Sequence, residues 1–174
     1  MIRKCKYLTL CVLMLVFSCR EASKQTQAVS KEQMKSSMEK ANRYLVNDEE
    51  KEIEEYIARH GMAMTSTGTG LRYAILKQGS ETLLAKGDKV SLEYQLSSIS
   101  GDVIYSSDND GIKSFVVGEG AVESGLDEAM THLHRGDVAK VIIPSHLGYG
   151  LHGDEKGIPE YATLVYTLKI IDNQ

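Results

Sequence analysis

Apolar residues recur along this chain with two different periods. Between Ser30 and His60 they fall at Met34, Met38, Ala41 and Leu45, and then at Ile53, Tyr56 and Ile57. That three-to-four spacing is the stripe of an amphipathic helix. Ser30 with Gln33 has capping-box chemistry, in which a hydroxyl and an amide satisfy the free N–H groups of a first turn. Asn47 with Glu50 repeats the signal, so the segment reads as one bent helix or two short ones. Gly61 follows, where a helix C-terminus favours a left-handed residue. The acidic residues Asp48, Glu49, Glu50, Glu52, Glu54 and Glu55 read as a solvated face.

Beyond Met62 the period shortens. Leu71 to Leu76, Val90 to Leu96 and Thr163 to Ile171 alternate or are rich in β-branched residues, which predicts strands. Shorter candidates are Val103 to Tyr105, Phe115 to Val117 and Val138 to Ile143. One helix interrupts them, with Leu126, Ala129, Met130 and Leu133 on a shared face. Lys86-Gly87-Asp88, Ser100-Gly101-Asp102 and Arg135-Gly136-Asp137 punctuate the run as turns. There is no internal repeat. The pattern predicts an α+β fold: a mainly antiparallel sheet packed on one short helix, with a separate N-terminal helical arm.

The first residues follow neither period. Arg3, Lys4 and Lys6 form a basic head, and Tyr7 to Phe17 is almost wholly apolar but too short for a membrane-spanning helix, which needs about 20 apolar residues. Such a segment reads as a secretory signal. It ends in Val16-Phe17-Ser18-Cys19, which resembles the bacterial lipobox, whose cysteine is lipidated and becomes the mature N-terminus. The alternative is an ordinary signal peptide with an incidental cysteine. All three cysteines of the chain, Cys5, Cys11 and Cys19, lie in this segment. Cleavage before Cys19 would leave no disulfide partner and no cysteine-ligated metal site. Residues 20 to 29 are small and polar and read as a flexible tether. The expected division is thus 1–18 signal peptide, 19–29 tether, 30–61 helical arm and 65–174 globular domain.

Composition narrows the function further. Of 174 residues 42% are apolar and 25% charged, with a net charge of −4. Basic residues are not clustered outside the signal, so a nucleic-acid partner is not expected. His132 and His134, two apart, do not face one another on a helix, and His146 and His152 fall in a long loop, so no metal site is expected. Gly118, Gly120 and Gly125 do not form a dinucleotide-binding fingerprint. No cofactor is implied.

A collinear set of motifs from about Thr65 to Asp172 resembles the FKBP-type peptidyl-prolyl isomerases. Gly87-Asp88-Lys89-Val90 leads to Glu93-Tyr94. Gly101-Asp102-Val103-Ile104-Tyr105-Ser106-Ser107 is similar to the family's G-x-x-F-D-S-S segment. Phe115 to Gly120, Val122 to Ala129 and His134 to Asp137 follow in family order. Pro144 to Gly150 resembles I-P-x-x-L-x-Y-G, and Ile158-Pro159 with Ala162 to Tyr166 resembles the closing strand. Thr69 to Tyr73, the arm and the signal resemble bacterial envelope FKBPs, and the Val103-Ile104-Tyr105-Ser106 variant those associated with gliding in Bacteroidetes.

The resemblance implies a pocket for a proline ring formed by Tyr94, Ile104, Leu126, Tyr149, Ile158 and Tyr166. It also implies a Val122 wall, a Glu123 N–H facing a substrate carbonyl, and a Tyr149 hydroxyl donating to another. Several residues depart from the family pattern. Ile104 replaces Phe, Tyr105 replaces an Asp that helps organise the pocket, Lys113 stands where an aromatic is common, and Leu126 replaces Trp. A pocket with less aromatic area predicts weaker turnover of short proline peptides. The implied function is isomerisation of X–Pro bonds in unfolded or exported polypeptides at a bacterial cell envelope. The alternative is an FKBP-shaped chaperone or scaffold with little activity. The expected partners are proline-containing chains, a membrane reached through the lipid on Cys19, and a second copy through the arm, the alternative being that the arm packs on its own domain.

Overall fold

The computed structural model describes residues 31–171. The expected signal, the tether, Cys19 and the Ser30 cap lie outside the described residues. The chain divides into two units, Met1–Lys40 and Ala41–Gln174. The described part of the first is the opening of helix α1, which runs as one helix over Lys31–Arg59. No Gly or Pro occurs between those bounds, so nothing in the backbone forces a break. Asn47, one of two alternative helix starts, therefore lies inside α1. Glu50 does not turn back to cap it; its carboxylate receives the Arg72 guanidinium, as does that of Glu54 at 3.0 Å. Gly61, at φ +58°, ends the helix, and the Met62 N–H closes on the Ile57 carbonyl at 3.2 Å.

The second unit carries seven strands: β1 Thr65–Ser66, β2 Arg72–Lys77, β3 Lys89–Ser98, β4 Val103–Ser106, β5 Lys113–Val116, β6 Val138–Ile143 and β7 Leu164–Ile171. They pair in the order β1-β2-β6-β7-β3-β4, with β5 also on β3, and every pairing is antiparallel. Two helices interrupt the strands, α2 Ser107–Asp110 and α3 Ser124–Met130. The α+β architecture is the one expected from the two periods; β1 and α2, at two and four residues, were too short to show a period.

Alternation along the central strands divides the sheet into two faces. Val90, Leu92, Tyr94 and Leu96 of β3, Ala139, Val141 and Ile143 of β6, and Leu164, Tyr166, Leu168 and Ile170 of β7 share one core with Leu126, Ala129 and Met130 of α3. Leu133 joins this core from the turn beyond α3. The opposite face presents Ile142 and Val165 to Ile53 and Tyr56 of α1. The C-terminal half of α1 is thus packed on the sheet by its own apolar stripe. It is also tied there by Glu49, whose carboxylate accepts from the Ser145 N–H at 2.6 Å and the Thr163 hydroxyl at 2.7 Å.

Gly125 sets the depth of α3. A Cβ there would overlap Ile143 Cγ2 and lie 3.0 Å from Leu147 Cβ. Only glycine lets the first turn of α3 approach β6 this closely, which places Leu126 against the sheet.

Candidate active site

The residues expected to form a pocket come from five separate segments, and folding brings them into or against one hydrophobic cluster. Tyr94 on β3 and Tyr166 on β7 point to the same face, their ring centroids 5.9 Å apart and tilted by 48°. Leu126 and Ile158 are buried in the same cluster. Ile104, Val122 and Tyr149 are partly buried against it. An open cavity of about 460 Å³ is bounded by Lys113, Val122, Glu123, Gly148 and Tyr149; Tyr94, Ile104, Leu126, Ile158 and Tyr166 do not line it. Tyr149 follows the short 3₁₀ turn Ser145–Leu147. Gly150, at φ +58°, returns the chain and donates to the Ser145 carbonyl at 2.8 Å. Glu123 caps α3, its carbonyl accepting the N–H groups of Leu126 and Asp127 at 3.0 Å each.

The side chain of Glu123 has a place that the sequence motif did not convey. It is 2% exposed and accepts the hydroxyl of Tyr166, which is fully buried. Lys113 completes the group: its ammonium lies 3.6 Å from the Glu123 carboxylate and donates to the Tyr166 oxygen at 3.2 Å. The same ammonium stands 5.3 Å from the Tyr94 ring centroid and 5.6 Å from that of Tyr166, within range of both π faces. Lys113 pairs across β5 and β3 with Leu92, two residues before Tyr94, and this register brings it over the rings. The only local signal for the arrangement was a lysine heading a strand where the family favours an aromatic.

These neighbours keep the tyrosine hydroxyls protonated. Burial, then the Glu123 and Asp154 charges, push the Tyr149 phenol up to about 12. Burial, then Glu123, pushes Tyr166 far above its ordinary value. Burial, Asp110 and Glu123 push Tyr94 up as well. At neutral pH all three are hydrogen-bond donors.

A second polar group bounds the site from the 150s loop. The Tyr105 hydroxyl donates to Asp154 Oδ2. Asp154 Oδ1 accepts the N–H groups of Lys156, Gly157 and Ile158 at 3.0, 2.9 and 2.7 Å. Burial opposes ionisation of this carboxyl, but the four donors outweigh it and hold Asp154 below the usual carboxylate range. Among the described residues no group of three or more His, Cys, Asp or Glu side chains is placed to hold a metal ion.

An antiparallel sheet packed on one short helix is the architecture of the FKBP fold. A solved structure, the crystal structure of AtFKBP13, superposes with a TM-score of 0.60 at 23% identity, covering 65% of this chain and all of that one. Residues 80–171 match the family described as FKBP-type peptidyl-prolyl cis-trans isomerase. The chain belongs to that family, an isomerase family whose substrates are proline-containing polypeptides. It is 27% identical over 153 residues to the FKBP-type 22 kDa peptidyl-prolyl cis-trans isomerase of Escherichia coli, spanning 88% of this chain and 69% of that protein. It is 35% identical over 120 residues to a probable FKBP-type isomerase, FkpA, of Neisseria meningitidis, spanning 68% of this chain and 43% of that protein.

Proposed function

We propose that the chain accelerates rotation about X–Pro bonds by closing Tyr94, Ile104, Leu126, Ile158 and Tyr166 around the prolyl ring, with Val122 as a side wall. The barrier, about 18–20 kcal/mol, comes from amide resonance. No nucleophile, metal or proton shuttle is needed to lower it. Removing water from the substrate carbonyl disfavours its charge-separated resonance form. Donors that fit the twisted amide better than either planar isomer lower the barrier further. The Tyr149 hydroxyl, held as a neutral donor beside the cavity, and the Glu123 N–H at the start of α3 are the groups assigned to that task.

The observation that carries this reading is that five segments bring these side chains into one hydrophobic cluster, against which Val122 and Tyr149 pack while lining an open cavity. A protease-coupled assay on a short proline peptide tests it. The wild type should shorten the cis-to-trans phase, and Tyr149→Phe should be slower by about tenfold or more, the usual cost of removing a transition-state donor. A wild type no faster than the uncatalysed reaction would refute the reading.

The polar group formed by Lys113, Glu123 and Tyr166 favours a second reading, a peptide-binding scaffold with little turnover. It puts charge where an apolar floor would desolvate the substrate best. Binding of a proline peptide without catalysis would select it.

We further propose that the protein acts on exported polypeptides at the cell envelope, held there by a lipid on Cys19. The basic head, the short apolar run and the Ser18-Cys19 junction support this placement. Metabolic labelling with a radioactive fatty acid, lost in Cys19→Ala, tests it. Met34, Met38, Tyr44, Leu45 and Val46 of α1 are exposed, which supports pairing of the arm with a second copy. The mass in solution of the chain with and without residues 20–60 decides that point.

A further inference from the structure

Tyr105 and Asp154 are 49 residues apart in sequence and meet through a hydroxyl–carboxylate hydrogen bond beside the candidate site. Asp154 is already saturated on its other oxygen by three successive backbone N–H groups, the last being that of Ile158 at 2.7 Å. The loop is also closed in the reverse sense, the Asp154 N–H donating to the Ile158 carbonyl at 3.1 Å. The Gly157 N–H donates to the Tyr105 hydroxyl at 3.2 Å. Gly157 passes so near β4 that a Cβ there would stand 2.9 Å from Ile104 Cγ2. Gly157, the residue before Ile158, is therefore packed against Ile104. The Tyr161 N–H donates to the Gly150 carbonyl at 2.8 Å, so the far end of the loop is tied back to the residue after Tyr149.

From this arrangement we propose that Tyr105 and Asp154 form a positioning pair for isomerisation. They hold the loop from Gly150 to Tyr161 so that Gly157 stays against Ile104 and Tyr149 stays on the cavity wall. The proposal rests on the cavity being the isomerase site. Neither residue touches substrate; both act through the residues they hold. Tyr105 is thus more than the loss of an acidic group at its position, because the carboxylate is supplied from the loop and the hydroxyl from the strand.

The test compares the full chain with Tyr105→Phe, Asp154→Asn and the double variant. Initial rates are measured over a range of cis-peptide concentrations, well below the unfolding temperature of each protein. Misplaced rather than missing groups cost turnover more than binding. The expected result is a kcat about tenfold lower in each single variant, with KM within about twofold of wild type. Because the two residues act as one unit, the double variant should be no slower than the slower single one. Single variants with wild-type kcat overturn the proposal, as do losses that multiply in the double variant. A change confined to thermal stability, with kcat intact, overturns it too. If Asp154→Asn does not fold, Tyr105→Phe, which removes one oxygen, decides alone. A wild type without activity refutes the isomerase reading itself and the pair with it. An active wild type with unaffected variants refutes the pair only.

Discussion

The hydroxyl of Tyr166 donates to the carboxylate of Glu123 inside the candidate prolyl site, and both groups are almost wholly shut off from solvent. A carboxylate so placed is tolerated only if its charge is met, and Lys113 meets it from the cavity side at 3.6 Å. The floor of the pocket is therefore a neutral cluster of opposite charges, not a plain hydrocarbon surface.

Removing the lysine should expose that dependence. Lys113→Met leaves Glu123 buried with a hydroxyl and no counter-charge, which should cost about 3 kcal/mol of stability. Replacing Glu123 as well, as in Lys113→Met with Glu123→Leu, should recover part of the loss, because the apolar pair avoids the charge-desolvation penalty while the buried Tyr166 hydroxyl loses its partners. Urea unfolding of wild type, single and double variants measures this. A double variant no more stable than Lys113→Met would show that the charges are not coupled.

Alkaline titration reads the same site from the tyrosines. A phenol whose folded value lies above its unfolded one contributes stability below the unfolded value, near pH 10, and loses it as pH rises through the folded value. For Tyr149 the window runs from that ordinary value up to about 12. Tyrosinate absorbance should therefore rise over a wide range of pH. Tyr149 should titrate late and Tyr166 only on unfolding. Tyr149→Phe should remove a step near 12 and leave the early ones unchanged.

Gly125→Ala tests how α3 is seated. The added methyl overlaps Ile143 Cγ2, and Ile143 is fully buried. An expected loss of about 1–3 kcal/mol follows from overpacking a dense core. The same shift displaces Leu126 and Glu123, so peptide turnover should fall in step with the melting temperature. A variant as stable as wild type would mean that α3 moves freely on β6.

Much of this architecture was legible before folding because its causes are local. Alternation at Val90, Leu92, Tyr94 and Leu96 marked both β3 and its inner face. The apolar positions of α3 did the same for the helix. The motif order brought Tyr94, Leu126, Tyr149, Ile158 and Tyr166 to attention, and all five lie in or against one cluster. What escaped detection is polar and long-range. Glu49 holds Ser145 and Thr163 across 96 and 114 residues. Arg72 takes Glu50 and thereby removes the capping partner expected of Asn47. Tyr105 finds Asp154, and Tyr166 finds Glu123. No period in a sequence announces such pairs, because each is fixed by the register of strands and the course of loops between them.

The central claim is that this cluster speeds rotation of a proline bond, and magnetisation exchange between the cis and trans signals of a short X–Pro peptide observes that rotation without a coupling enzyme. Uncatalysed exchange takes tens to hundreds of seconds. With a catalytic amount of the protein, cis–trans cross-peaks should grow within a mixing time of about a second, and should weaken in Tyr149→Phe. A spectrum with protein present that shows no cross-peaks, as in its absence, would contradict the account.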